Sequence, residues 1–231
     1  MIDFPPPRDV LCVGRNYAAH AAELGHAAPK SPLLFWKPAG SLCRGGEVAL
    51  PRWADGPTRV DYEGELALVL GRDLGPGTPP LPADPWEAVA AVAAALDLSD
   101  RDLQKAEPQW VRAKGFAQAC VVGDLAAPPR DPAAVTVRTW KNGAKVQDGH
   151  TGVLLFPLRD LLRWVHGFLR LSRGDLILTG TPEGVGPLAP GDEVRVEVSY
   201  ADRAGGDARA EVAMRCAEGP VAPAFAREGG P

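Results

Sequence analysis

The chain is poor in the features that would place it in a secreted, membrane or nucleic-acid setting. Cysteine occurs four times in 231 residues, at Cys12, Cys43, Cys120 and Cys216, without C-x-x-C spacing. This scatter argues against a disulfide framework or a zinc module and predicts reduced, mostly buried thiols. The N-terminus, Met1-Ile-Asp-Phe-Pro-Pro-Pro-Arg-Asp9, lacks the basic start and apolar run of a secretory signal. The most apolar stretch, Ala88 to Leu96, is too short to cross a bilayer, so cytoplasmic residence is expected. Basic clusters are also missing. The 25 Lys and Arg stand against 29 Asp and Glu with no stripe of one sign, which leaves no electrostatic footprint for nucleic acid or an anionic membrane. A small soluble partner is the expectation. No repeat array is visible, and the glycines fit neither a dinucleotide fingerprint nor a nucleotide P-loop.

What is present is a succession of short strands with few helices. Val10 to Val13 reads as a strand ended by Gly14. Asn16 can cap a short helix through Tyr17-Ala-Ala-His-Ala-Ala-Glu-Leu24, which Gly25 ends. Pro32 to Pro38 is extended, and Gly71 to Pro85 is loop. Trp86 to Leu98 is Ala-rich and helical by propensity, although Val89, Val92 and the lead into Leu-Asp-Leu-Ser-Asp suit a buried strand in its second half. Thr136 to Trp140 alternates as a strand and turns at Lys141-Asn142-Gly143. Phe156 to Phe168 has helical periodicity. Asp175–Thr179, Glu193–Tyr200 and Ala208–Arg215 complete a pattern that is α+β and β-rich. The expected division is residues 1–50 as an N-terminal extension, 51–217 as a β-rich catalytic domain and 218–231 as a flexible tail.

Three constellations carry chemistry. In Val60-Asp-Tyr-Glu-Gly-Glu-Leu-Ala-Leu-Val-Leu70, period-2 alternation puts Asp61, Glu63 and Glu65 on one strand face, about 7 Å between successive pairs. Such crowding is tolerable on a solvated face or around a cation, and an all-oxygen set selects Mg, Mn or Ca. Asp97, ending the Ala-rich segment, can complete a trio of carboxylates, with Arg101 and Gln104 one turn further on. His20 and Glu23, three apart on a helix, form an imidazole–carboxylate pair suited to moving a proton near neutral pH, preceded by Arg15 and Tyr17 as donors for an anion. A solvated helix surface carries such pairs too. Lys114 stands alone before a glycine and reads as a surface lysine or as a charge that assists an enolate or water. Gly174-Asp-Leu-Ile-Leu-Thr-Gly-Thr-Pro-Glu-Gly-Val-Gly-Pro187 runs from a strand into a turn whose amides and Thr181 hydroxyl can approach a ligand.

In this order, Val13-Gly-Arg-Asn-Tyr-Ala-Ala-His20, Phe35-Trp-Lys-Pro38, Tyr62-Glu-Gly-Glu-Leu66, Leu96-Asp-Leu-Ser-Asp-Arg-Asp-Leu-Gln104, Ala113-Lys-Gly-Phe116 and Leu178-Thr-Gly-Thr-Pro-Glu-Gly-Val-Gly186 resemble the fumarylacetoacetate hydrolase family, in its short bacterial, acylpyruvase-like branch. The resemblance implies mixed sheets rolled around a central metal site, and a homodimer. It implies Mg2+ or Mn2+ on Glu63, Glu65 and Asp97. It also implies catalysis by His20 and Glu23 on a lid-like helix with Lys114, and substrate contacts from Arg15, Tyr17, Arg101, Gln104 and Thr181. Gly64, between the two glutamates, departs from the bulkier residues common there. The implied activity is hydrolysis of a carbon–carbon bond in an acylpyruvate-type 2-oxo acid through a metal-bound enolate. Alternatives are the isomerase or decarboxylase of aromatic-acid breakdown, an oxaloacetate decarboxylase, or a non-catalytic small-anion binder on the same scaffold.

Overall fold

Apolar residues on both faces of the central strands decide the architecture. In the computed structural model, which describes residues 5–223 except 24, 26, 28, 55 and 57, the strands are β1 (Asp9–Gly14), β2 (Leu33–Pro38), β3 (Leu42–Cys43), β4 (Gly46–Trp53), β5 (Val60–Tyr62), β6 (Gly64–Leu70), β7 (Val89–Asp97), β8 (Ser99–Asp100), β9 (Cys120–Val122), β10 (Thr136–Lys141), β11 (Ala144–His150), β12 (Leu176–Leu178), β13 (Gly186–Pro187), β14 (Glu193–Ala201) and β15 (Asp207–Ala222). The helices are short: α1 (Ala18–Glu23), α2 (Arg101–Ala106), α3 (Val111–Gly115) and α4 (Leu158–His166). A seven-stranded mixed sheet has the order β2-β1-β12-β6-β7-β9-β3, a five-stranded sheet β11-β10-β14-β15-β4, and a small sheet β13-β5-β8. This is the α+β, β-rich arrangement expected.

Period 2 sorts β6 and β7 between two cores. Leu66, Leu68, Val92, Ala94 and Leu96 face the five-stranded sheet and pack with Val194, Val196 and Val212. Ala67, Val69, Ala91, Ala93 and Ala95 build a second core on the opposite face with Val10, Cys12, Cys120 and Leu178. Each fully buried leucine contributes about 1.5–3 kcal/mol of hydrophobic stabilisation. The Ala-rich run is therefore a strand from Val89 onward, entered through a 3-10 turn at Pro85–Ala88 whose first amides Asp84 caps. Helix propensity loses because both faces of the segment are covered and pairing with β6 and β9 satisfies its backbone. Asn142 and Gly143, both at positive φ, make the β10–β11 turn.

Two expected boundaries are corrected. The first fifty residues are not an appendage: β1 pairs in parallel with β12, and β4 pairs in parallel with β15, inside the two main sheets. Nor does the ordered chain stop at 217. Strand β15 continues to Ala222, with Val221 opposite Arg52 and Ala222 opposite Trp53 after a register shift that passes Gly219 and Pro220. A Cβ on Gly219 would sit 2.1 Å from the Leu50 carbonyl oxygen, so the close approach there needs glycine. The remainder of the expected tail, 224–231, lies outside the described residues, as does Leu24 of the first helix. Asn16 does not cap α1. Its Nδ2 donates to the Thr179 carbonyl at 2.9 Å and its Oδ1 accepts from the Phe156 amide at 2.8 Å, joining three distant segments.

Candidate metal and active site

At the end of the second core, where small residues give way to carboxylates, strands β6 and β7 bring three acids together. Gly64 opposes Leu96, Glu65 opposes Ala95, and the Asp97 amide donates to the Glu63 carbonyl at 2.9 Å. One oxygen from each of Glu63, Glu65 and Asp97 lies within 4.8 Å of the others, and all three residues are buried. The fourth acid of the segment goes elsewhere. Asp61, on β5, binds Arg59 and the Nε of Arg101, both at 3.0 Å.

Cations are arranged unevenly around the trio. Glu63 meets Lys114 Nζ at 2.7 Å and Arg101 Nη2. Burial pushes its carboxyl up, but Arg101, Lys114 and His20 outweigh this and hold it well below the usual range. Asp97 Oδ2 takes Lys114 at 2.7 Å. Burial still raises this carboxyl on balance, against Lys114 and Lys37. Its Oδ1 lies 2.8 Å from Lys37 Nζ, yet that ammonium directs its three hydrogens to the carbonyls of Leu98, Lys114 and Ala119. Oδ1 is left buried without a hydrogen-bond donor. Glu65 accepts one hydrogen bond among the described residues, from the Gly180 amide at 2.7 Å. Burial, reinforced by Asp97 and Glu63, drives its carboxyl well above its ordinary value. A buried carboxylate beside two others, with one amide for company, is costly without a further cation. The donor set is all hard oxygen, with one carboxylate oxygen that has the Lys37 charge beside it but receives no hydrogen bond, and fits a divalent ion of the Mg or Mn type.

These groups line one cavity of about 260 Å³ together with Arg15, His20, Phe35, Gln104, Lys105, Trp110 and Thr181. His20 is 3 % exposed, and its Nδ1 faces Glu23 Oε2 at 3.3 Å, which leaves Nε2 with no partner among the described residues. Glu23 stands behind His20 and is held by the Gly184 amide at 3.1 and 3.2 Å, so the lid-like helix α1 is fastened to the Gly-rich turn. Arg15 sits at φ 56°, a left-handed backbone that non-glycine residues rarely adopt and that clusters at functional positions. Arg101 has all three donor nitrogens engaged, with Nη1 on Gln104 Oε1 at 2.9 Å. The expected substrate contacts are thus unequal: Arg15 has no carboxylate partner among the described residues, whereas Arg101 and Gln104 first serve each other.

Tyr17 departs from its expected place. It is 2 % exposed within the larger core and does not line the cavity, and its hydroxyl is buried without a partner. Thr181 reaches the cavity, but its hydroxyl donates to the Gly64 carbonyl at 2.9 Å. Several residues outside the expected set serve the site. Lys37 crosslinks the end of β7 that carries Asp97 to helix α3 that carries Lys114, and a lone lysine inside Leu33-Leu-Phe-Trp-Lys-Pro38 was the available signal, since a charge in an apolar strand needs a buried partner. Ser99 accepts from Lys114. Lys105 lines the mouth of the cavity.

The sequence model described as fumarylacetoacetate (FAA) hydrolase C-terminal matches residues 9–213. Among similar proteins, oxaloacetate tautomerase YcgM of Escherichia coli is 37 % identical over 204 residues, covering 85 % of this chain and 90 % of that one. The solved structure of 5-carboxymethyl-2-hydroxymuconate delta-isomerase from Mycobacterium smegmatis is similar with a TM-score of 0.76 and 36 % identity, covering 92 % of this chain and 80 % of that one. Fumarylpyruvate hydrolase from Pseudomonas aeruginosa, solved in complex with Mn2+ and pyruvate, gives a TM-score of 0.76 at 27 % identity, covering 93 % and 91 %. All three are enzymes of small oxo acids or their enols. With the acidic trio, the ordered motifs and the match over 9–213 in agreement, this chain belongs to the fumarylacetoacetate hydrolase family.

Proposed function

We propose that this protein is a divalent-metal-dependent enzyme that relocates a proton beside the keto group of a small anionic 2-oxo acid, as in keto–enol interconversion of oxaloacetate. The observation that carries the reading is the buried His20 imidazole, backed by Glu23, in the same cavity as the Glu63–Glu65–Asp97 group. Those three carboxylates would hold Mg2+ or Mn2+. Bound there, the ion would polarise the keto oxygen and stabilise the negative charge that develops when a neighbouring bond breaks. Glu23 fixes the His20 ring through Nδ1, so Nε2 is the atom that takes the proton from carbon and returns it. Lys114 bonds to both Glu63 and Asp97 at 2.7 Å and orients their carboxyl groups. Arg15 supplies a guanidinium for a substrate carboxylate. The oxaloacetate tautomerase and the delta-isomerase, each more than a third identical to this chain, support proton relocation.

A second reading is hydrolysis of a carbon–carbon bond in an acylpyruvate, in which the same dyad would activate water. It is favoured by the fumarylpyruvate hydrolase neighbour, solved with Mn2+ and pyruvate. The proposal includes a homodimer in the cytoplasm, for which exposed Trp36 and the Trp164–Phe168 pair offer apolar surface. One panel separates the activities: with manganese, enol-to-keto conversion of oxaloacetate is followed by ultraviolet absorbance, and pyruvate release is followed from acetylpyruvate, fumarylpyruvate and oxaloacetate. Faster interconversion without pyruvate release supports the first reading, and pyruvate from the acylpyruvates supports the second. No substrate turned over above a chelator-treated control would overturn both.

A further inference from the structure

Gln147 lies on β11, in a sheet that contributes none of the residues lining the cavity, yet it is 2 % exposed amid exposed neighbours and its whole amide is engaged at the site. Its Oε1 accepts from the Gly64 amide at 3.0 Å, between the two glutamates. Its Nε2 donates to Thr181 Oγ1 and to the Pro182 carbonyl, both at 2.8 Å. Thr181 Oγ1 in turn donates to the Gly64 carbonyl at 2.9 Å, closing a ring of hydrogen bonds on one residue, across the two peptide groups that flank it. The same turn supplies the Gly180 amide that fixes Glu65. Gly64 completes the fit: a Cβ there would lie 2.0 Å from Thr139 Oγ1, 3.0 Å from Gln147 Oε1 and 3.2 Å from Val196 Cγ2, so the five-stranded sheet presses directly on the backbone between Glu63 and Glu65.

We propose that Gln147 is a positioning residue that sets the relative placement of Glu63 and Glu65 and, through the Thr181–Pro182 turn, the orientation of the Glu65 carboxylate, and thereby tunes affinity for the divalent ion. The inference rests on the metal reading of the acidic trio and not on which 2-oxo acid is processed. Partners that orient metal-binding side chains are worth about 10–100-fold in affinity.

The test uses the full chain, stripped with chelator and titrated calorimetrically with manganese chloride, beside thermal melts. Gln147→Met, close in volume but without the amide, should weaken Mn2+ binding about tenfold or more. Val198→Ala, which removes core volume in the same sheet at a residue that does not line the cavity, should lower the melting temperature and leave Mn2+ affinity at the wild-type value. Should Gln147→Met not fold, Gly64→Ala should show the same loss and Gly64→Ala with Thr139→Ala a partial recovery. Wild-type affinity in a folded Gln147→Met, or in Gly64→Ala, overturns the positioning role alone. Absence of Mn2+ binding in the wild type overturns the metal reading and this inference with it.

Discussion

The floor and the rim of the cavity are built differently. The floor, Glu63, Glu65, Asp97 and Lys114, rides on or beside β6, β7 and α3, is at most 4 % exposed, and is knitted by bonds of 2.7–2.9 Å within itself and to the turn that follows β12. The rim, Arg15, His20, Gln104 and Lys105, rides on a strained turn and two six-residue helices. A helix so short has almost no stability of its own and keeps its place through tertiary contacts, here Glu23 on Gly184 and Asn16 on Phe156 and Thr179. Under the proposed function, the contrast would assign the geometry that an ion demands to rigid strands, and the groups that admit and release a small acid to segments with few attachments.

Four measurements would break or sharpen that contrast. The largest effect is expected from Glu65→Ala, which should abolish both calorimetric Mn2+ binding and turnover, with no recovery on adding manganese. Full activity after exhaustive chelation would remove the floor's assigned part. Next, Arg101→Met should cost about 3 kcal/mol or more in denaturant unfolding, because Asp61 and Glu63 lose a buried counter-charge. A change confined to the KM for dianionic substrates would instead assign Arg101 to the rim. Third, His20→Ala should lower turnover about 100-fold, as loss of a general base does, while Mn2+ affinity stays within twofold. Equal damage to metal binding would erase the distinction between the two regions.

The smallest effect lies far from both. Asp84 is held below its usual range by hydrogen bonds from Arg159 at 2.9 and 3.0 Å. A carboxyl depressed in the folded state stabilises at pH above its unfolded value, near 4, and that contribution is lost as pH falls through the folded value. Both side chains are more than a third exposed, so Asp84→Asn should cost less than about 1 kcal/mol at neutral pH and nothing at pH 2. A larger cost would show that solvent screens this pair less than its exposure implies.

Much of this was legible in the chain because local rules and the fold agree. The turn at Asn142-Gly143 follows from local chemistry, whereas Val60–Leu70, which alternates as one strand, divides at Glu63 into β5 and β6 of different sheets, so that Asp61 parts from Glu63 and Glu65. Glu63, Glu65, Asp97, His20, Lys114 and Thr181, scattered over the motifs, line one cavity. What stayed hidden depends on contacts across the sequence. Asn16 reads as a cap and becomes a crosslink, because Phe156 and Thr179 arrive from 140 and 163 positions away. Tyr17, in a run of polar motif residues, turns into the core. Gln147, between Val146 and Asp148, is indistinguishable by type from a surface residue, and only the approach of Gly64 and of the Thr181–Pro182 turn gives its amide partners. The Ala-rich strand was ambiguous for a related reason: alanine is the best helix former, and its small size is also what lets β7 be covered on both faces.

The parallel pairing of early strands with late ones has a consequence for biogenesis. Arg8 and Asp175, which hydrogen-bond beside the β1–β12 pair, are separated by 167 positions, and β4 waits in the same way for β15. During translation both early strands emerge with open edges long before their neighbours exist, so the central sheets close only after nearly all of the described chain has left the ribosome. Folding dominated by such distant closures is slow, and unpaired strand edges are prone to aggregate until their neighbours arrive.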